Sequence, residues 1–267
     1  LENGRENGVD CTPIGPDRLQ EIEPHARGVR AIHVPESGVV DYRRVSLRLA
    51  DLIEEHGWEV RTGREVTGVV QEPGRVTLET SGGAVEAGWA VNCAGLYADR
   101  IARMSGLDPD VQIVPFRGEY YALVEEAEHL CRGLIYPVPD PSFPFLGVHF
   151  TLQVDGGVEC GPNAVLAFAR EGYLKSDLDP AELAEALSYP GFLRLAAKYW
   201  STGLSEMWRS FSKRAFVGSL QELVPEVREE HLEWAPAGVR AQALDREGEL
   251  VEDFLIEHSG RMVNVLN

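Results

Sequence analysis

The sequence predicts an α/β protein, α+β taken as a whole, organised in two domains. Three observations predict it. Short apolar runs end in small-residue turns and lead into amphipathic stretches, as at 89–93, Ala94-Gly95 and 96–105. Alternating segments meet at turns holding Gly and Pro, as at 65–71 and 75–80 around Glu72-Pro73-Gly74. A helix-rich, proline-interrupted stretch separates two α/β-like parts. The 267 residues are 44% apolar and 25% charged, ordinary for a globular protein and enough for a sizeable core.

The elements follow in order. Residues 1–30, rich in Gly, Pro and charge, read as a loop with one short helix around 17–23. Val45, Leu49, Leu52 and Ile53 form an apolar helical stripe, with Asp41 as N-cap and Gly57 as stop. Residues 58–60 read as a short strand. Segments 65–71, 75–80 and 84–87, with the Ser81-Gly82-Gly83 turn, read as a β-meander. Residues 89–93 make a buried strand and 96–105 a helix. Strands are expected at 116–124 and 146–154. Between them 136–145 carries four prolines, the pattern of a stiff, extended loop. Asp179-Pro180-Ala181-Glu182 is a helix start, with Asp at N-cap, Pro at N1 and Glu at N3. Helices are expected at 180–188, 191–199 and 212–223, and strands at 231–235, 239–243, 251–257 and 262–266. Domain limits at 1–110, 111–236 and 237–267 follow.

Composition excludes several functions. Lys plus Arg number 25 and Asp plus Glu 43, a net charge of −18. That sign repels phosphate backbones and excludes nucleic acid as a partner. No apolar run reaches the roughly 18–20 residues of a membrane span, and no signal peptide opens the chain. Cys11, Cys93, Cys131 and Cys160 have neither disulfide nor zinc spacing, so four reduced thiols, no metal site and a cytoplasmic location are expected. No Gly-x-Gly-x-x-Gly follows a strand, and Gly82-Gly83 reads as a hairpin turn. Leu1 and the abrupt strand-like ending at Asn267 read as those of a piece of a longer protein.

Several strings, in order, carry a resemblance. They include Glu21-Ile22-Glu23-Pro24-His25, Asn92-Cys93-Ala94-Gly95-Leu96-Tyr97-Ala98-Asp99, Pro115-Phe116-Arg117-Gly118-Glu119-Tyr120-Tyr121 and Tyr136-Pro137-Val138-Pro139. Gly147-Val148-His149-Phe150-Thr151, Gly161-Pro162-Asn163-Ala164, Arg170-Glu171-Gly172-Tyr173 and Gly238-Val239-Arg240-Ala241-Gln242 continue the set. As a set they resemble the L-2-hydroxyglutarate oxidase/dehydrogenase family, within the D-amino-acid-oxidase-like flavoproteins. The resemblance implies FAD-dependent oxidation of L-2-hydroxyglutarate to 2-oxoglutarate by hydride transfer to the flavin. It makes 1–110 a partial FAD-binding, Rossmann-like domain, 111–236 a mixed-sheet substrate domain with helices, and 237–267 a return to the FAD-binding domain. The Gly-rich flavin turn of the family is not in these residues, so this stretch alone is expected to hold no FAD. Two alternatives stay open: an amine or amino-acid oxidase on the same scaffold, and a folded piece without flavin or turnover.

The resemblance also implies roles. His149 is the candidate base for the 2-hydroxyl, an imidazole being suited to proton removal near neutral pH; read by itself, without the resemblance, it is more readily a hydrogen-bonded core histidine. Arg240 is the candidate partner of a substrate carboxylate, with Ala241 where relatives often carry Pro; its other reading is a surface arginine. Arg117 is a second carboxylate candidate. Tyr120 and Tyr121 alternate faces, and Tyr121 is taken as the substrate contact, with Asn163 and Tyr173 as further polar contacts. Val66, Val69, Asn92, Ala94 and Gly95 are the candidate cofactor contacts. His25 and His258 read as structural. The partner expected is a small dicarboxylate. The electron acceptor is left open between oxygen and a quinone, and peripheral attachment at the inner membrane face stays open.

Overall fold

The computed structural model describes residues 1–139 and 146–267; the part of the predicted proline-rich loop at 140–145 lies outside the described residues. The first half of the chain forms α1 (Glu2–Glu6), β1 (Thr12–Ile14), α2 (Pro16–Ile22), β2 (Ala31–His33), α3 (Tyr42–Glu55), β3 (Val66–Glu72), β4 (Arg75–Thr80), β5 (Val85–Ala87), β6 (Ala90–Asn92), α4 (Ala98–Met104) and β7 (Val111–Leu123). The second half forms β8 (His149–Leu152), β9 (Val158–Leu166), α5 (Pro180–Ser188), α6 (Pro190–Lys198), α7 (Trp200–Phe211), α8 (Lys213–Leu220), β10 (Leu232–Asp245), β11 (Ile256–Ser259) and β12 (Met262–Val265). The fold is mixed α and β, as expected. The chain divides into two units, each assembled from three segments. The first holds Leu1–Arg48, Gly118–Val165 and Leu204–Ala237; the second holds Leu49–Arg117, Leu166–Gly203 and Gly238–Asn267.

In the first unit β8 and β9 pair antiparallel, with His149 opposite Gly161 and Phe150 opposite Cys160. Phe150 and Cys160 are fully buried and face a core that includes Tyr121, Phe216 and Leu220. Alternation therefore turns His149 to the other face of the sheet. Ser212 caps α8, its hydroxyl accepting from Ala215 N–H at 3.2 Å, and α8 buries Phe216, Val217 and Leu220.

In the second unit β12 runs parallel to β6, with Asn264 opposite Asn92, while β11 pairs antiparallel with β12. β3, β4 and β5 form the predicted antiparallel meander. Gly74, at φ +93°, makes its first turn, a conformation that favours glycine. Ala98, Ala102, Val111, Ile113, Ala243 and Leu266 form the core of this unit. Asp179 caps α5 as predicted, its carboxylate accepting from Ala181 and Glu182 N–H at 2.9 and 3.0 Å.

Several expectations are corrected. Residues 1–30 hold α1 and β1 besides the one helix expected there, and the stretch 89–93, expected as a buried strand, is strand only at Ala90–Asn92 and exposes Trp89, Val91 and Cys93. Residues 58–60 form no strand; Trp58 is exposed, and an extended segment without a ladder partner is not a strand. The strands expected at 231–235 and 239–243 are one strand, β10. It lies at the sheet edge in the order β10-β7-β9-β8, and an edge strand accommodates Pro236. The strand expected at 251–257 is instead β11, which begins at Ile256. The α3 stripe is in place, with Asp41 accepting from Arg44 N–H at 3.1 Å, yet no residue of α3 is buried. Periodicity says which side chains share a face, not what lies against it. All four cysteines are free. No helix among the described residues is long and apolar enough to cross a membrane.

Candidate active site

Strand register decides how His149 is presented. Ile135 and Phe150 form an antiparallel bridge, Ile135 N–H donating to Phe150 O at 3.0 Å and Phe150 N–H to Ile135 O at 2.9 Å. Both side chains are buried, so their neighbours Tyr136 and His149 turn to the opposite face. There the two rings stack, centroids 4.0 Å apart and planes 16° apart. His149 Nδ1 lies 2.9 Å from Gly147 O. A carbonyl only accepts, so Nδ1 carries the proton of the neutral ring and Nε2 keeps its lone pair. In that tautomer Nε2 is the nitrogen that can accept a proton.

The other residues expected at substrate are placed differently. Tyr121 is in the core, 2% exposed, stacked on Trp234 at 4.4 Å and tilted against Phe216 at 4.8 Å. Burial, helped by Glu119, pushes its phenol up to about 12. From Arg117 onward β7 turns alternate residues inward, so Tyr120 takes the opposite, half-buried face. Asn163 is fully buried: Nδ2 donates to Glu206 O at 2.9 Å and lies 3.5 Å from Glu119 Oε2, while Oδ1 accepts from Arg209 Nε at 3.3 Å. Its amide is committed to a buried polar cluster rather than presented to a ligand. In the second unit Arg117 is buried and donates to Gly172 O and Leu174 O at 3.5 and 3.3 Å. Arg240 is exposed on β10. Tyr173 is also exposed, and His25 joins Glu226 at 2.9 Å.

The candidate cofactor contacts also lie in the second unit. Val66 and Val69 are half-buried on β3, opposite Thr80 and Leu78. At the end of β6 the buried Asn92 amide donates to Ala98 O at 2.8 Å and to Asn264 Oδ1 at 3.0 Å, and its oxygen accepts from Ala94 N–H at 3.1 Å. That side chain shapes the turn into α4. Behind the turn Arg170 makes two bonds to Asp99, at 2.6 and 3.0 Å, and its guanidinium also donates to Leu96 O. Asp99 further accepts from Ile113 N–H at 3.3 Å, tying the turn to the start of β7.

A model of the family described as FAD dependent oxidoreductase, DAO, matches residues 1–266. The chain belongs to this family of FAD-dependent oxidoreductases. It is 50% identical to the L-2-hydroxyglutarate dehydrogenase of Indibacter alkaliphilus over 100% of its own length and 67% of that protein's. It is 44% identical to the mitochondrial L-2-hydroxyglutarate dehydrogenase of Homo sapiens, over 96% of this chain and 58% of the human one. The chain thus spans about three fifths to two thirds of the length of these relatives. In fold it is similar to the FAD-bound L-alpha-glycerophosphate oxidase of Mycoplasma pneumoniae, with TM-score 0.71 and 19% identity over 99% of this chain and 62% of that one.

For a member of the FAD-dependent family, the β6 turn is the place to test the fit of a flavin. Gly95 sits at φ +54° with nothing within 4 Å of where a Cβ would be, and Ala94 and Gly95 are exposed. The carboxyl ends of parallel strands are where such α/β sheets receive ligands. Asn264 Nδ2, buried at those same strand ends, has no hydrogen-bond partner among the described residues. The small exposed turn and the unused donor fit a bound group at this end of the sheet.

Sequence reasoning missed Tyr136 as a site residue, although the Tyr136-Pro137 string carried part of the resemblance. It also missed Arg170, Asp99 and Glu206. Arg170 and Asp99 stand 71 positions apart, so no local spacing joins them. The available signal was an acid on the buried alanine face of a helix: Asp99 lies between Ala98 and Ala102 on α4, beside Arg100.

Proposed function

We propose that the whole protein oxidises L-2-hydroxyglutarate to 2-oxoglutarate with FAD as its redox group. The observation that carries the reading is His149, a half-exposed imidazole whose Nδ1–H is held by Gly147 O so that Nε2 is the basic nitrogen. The relatives named L-2-hydroxyglutarate dehydrogenase support the substrate. In this reading Nε2 takes the proton of the 2-hydroxyl as the carbonyl forms. FAD, when bound, supplies the acceptor for the hydride leaving C2. Asn92, Ala94 and Gly95 would hold it at the β6 end, with Val66 and Val69 as further contacts. Arg240, exposed on its strand, offers a planar fork to one substrate carboxylate. Arg117, already donating to two main-chain carbonyls, acts from a fixed position. The substrate partner is a small dicarboxylate, and oxygen or a quinone is the final electron acceptor. A cytoplasmic location is part of this reading.

The test is His149→Gln in the whole protein. Turnover of L-2-hydroxyglutarate should fall about 10²–10⁴-fold, the range for loss of a general base, with flavin content and circular dichroism unchanged. Unchanged kcat removes His149 from the reaction. Faster turnover of glycine or proline than of L-2-hydroxyglutarate overturns the substrate.

A further inference from the structure

We propose that Tyr136 is a positioning residue for His149: it clamps one face of the imidazole and so fixes which ring nitrogen acts as the base. The inference rests on the reading of His149 as that base. The Ile135–Phe150 bridge exchanges both main-chain hydrogen bonds. The next pair along an antiparallel ladder, Tyr136 and His149, is therefore of the non-hydrogen-bonded kind, in which side chains approach most closely. The rings use that closeness, with centroids at 4.0 Å and planes 16° apart.

Tyr136 is itself held at both ends. Its backbone follows the bridge, and its hydroxyl lies 3.0 Å from Thr151 Oγ1, two residues past His149 on the same strand. The two sides of His149 then differ. On one stands an anchored aromatic ring. On the other, the residue opposite in register is Gly161, which brings no side chain. Glycine is required there: φ is +146°, and a Cβ would lie 2.7 Å from Tyr120 Cδ1 and 2.8 Å from Glu119 O, so the Tyr120 ring lies over Gly161. The flank on the Tyr136 side is the one that prevents rotation. A ring flip, which would put Cδ2 where Nδ1 stands and Cε1 where Nε2 stands, would have to break the Gly147 hydrogen bond and leave the stack on Tyr136.

The experiment uses the whole, flavin-loaded protein with Tyr136→Leu and Tyr136→Phe, and His149→Gln as reference. Tyr136 is 44% exposed, so Leu at this position leaves no cavity in the core. Tyr136→Leu should lower kcat about tenfold with KM changed less than about twofold, because orientation rather than binding is lost. Tyr136→Phe keeps the ring and should retain about half of kcat or more. Independently of turnover, ¹⁵N NMR of the imidazole, assigned by its disappearance in His149→Gln, should show protonated Nδ1 in the native protein and Tyr136→Phe. A mixture of tautomers is expected in Tyr136→Leu. Native kcat and a single Nδ1-protonated tautomer in Tyr136→Leu overturn the positioning role while an inactive His149→Gln leaves the base in place. Native turnover in His149→Gln overturns the base, and the proposal with it.

Discussion

Asp99 in the second unit and Glu206 in the first are both buried acids beside an arginine, and they are pushed in opposite directions. Burial raises the Asp99 carboxyl, but the hydrogen bonds and charge of Arg170, then Arg103 and the Ile113 N–H, outweigh it and hold Asp99 below its ordinary value. Burial also raises the Glu206 carboxyl, and there it wins, over Arg209 and the Ala164 N–H and with Glu119 adding to the rise. The difference lies in the cations. The Arg170 side chain is 2% exposed and makes a two-point contact with Asp99. Arg209 is 22% exposed and also serves Asn163, in a cluster that holds a second carboxylate. Arg170 also reaches Glu185 at 3.3 Å and Leu96 O, so it is its burial and two-point geometry, with Arg103 as a second cation, that keep Asp99 ionised.

The largest effect should come from breaking the stronger pair. Arg170→Met leaves the Asp99 charge buried with only Arg103, part-exposed, beside it, and should cost about 3–5 kcal/mol of stability. Urea denaturation of the whole protein measures it. Adding Asp99→Asn should recover more than half of the loss, because the unpaired charge is gone while an acceptor for Ile113 N–H remains. A cost below about 1 kcal/mol for the single variant would erase the contrast between the units.

An intermediate effect is expected in the first unit. Asn163→Leu conserves approximate volume but removes the donor to Glu206 O and the acceptor for Arg209 Nε. Unpaired buried partners should cost about 1–3 kcal/mol, less than the loss of Arg170, since no full charge is stranded. Thermal unfolding of Asn163→Leu beside Arg170→Met ranks the two clusters. If Asn163→Leu proves the more damaging, the first-unit cluster is the better paired of the two.

The same asymmetry marks what the sequence disclosed. Local features were legible: the Glu72-Pro73-Gly74 turn, the Asp179 cap, the Asp41 cap and the β6 turn each depend on residues within a few positions. Strands holding apparent breakers were not. β9 contains Gly161-Pro162 and went unpredicted, and β10 was split at Pro236. α7 was likewise missed, its Gly203 and three serines lowering helix propensity. At the site, alternation said that Tyr120 and Tyr121 differ in face, and only the packing of Trp234 and Phe216 said which is inside. Contacts such as Arg170 with Asp99 and Tyr136 with His149 join residues through tertiary pairing, for which a single sequence carries no spacing rule.

The smallest effect is also the most direct reading of the comparison, because it turns on sign. Asp99 has a folded pKa below its unfolded value, about 3.9 for an aspartate. Its contribution to stability is therefore present above that value and is lost as pH falls through the lower folded pKa. Glu206 has a folded pKa above its unfolded value, about 4.3 for a glutamate. Its contribution is fully present below that value and is lost as pH rises through the higher folded pKa. The two windows lie on opposite sides of about pH 4, so one series of unfolding curves separates them. Relative to the native protein, Glu206→Gln should become more favourable as pH rises from about 4 towards neutrality, since a neutral amide has no buried charge to create. Asp99→Asn should move the other way: its deficit should be largest near neutrality and shrink as pH falls below about 3.9, where the unfolded carboxylate takes up its proton while the folded one still holds its charge. Parallel pH profiles for the two variants would mean that Arg209 pairs with Glu206 as fully as Arg170 pairs with Asp99, and that cation exposure does not decide the direction of the shift.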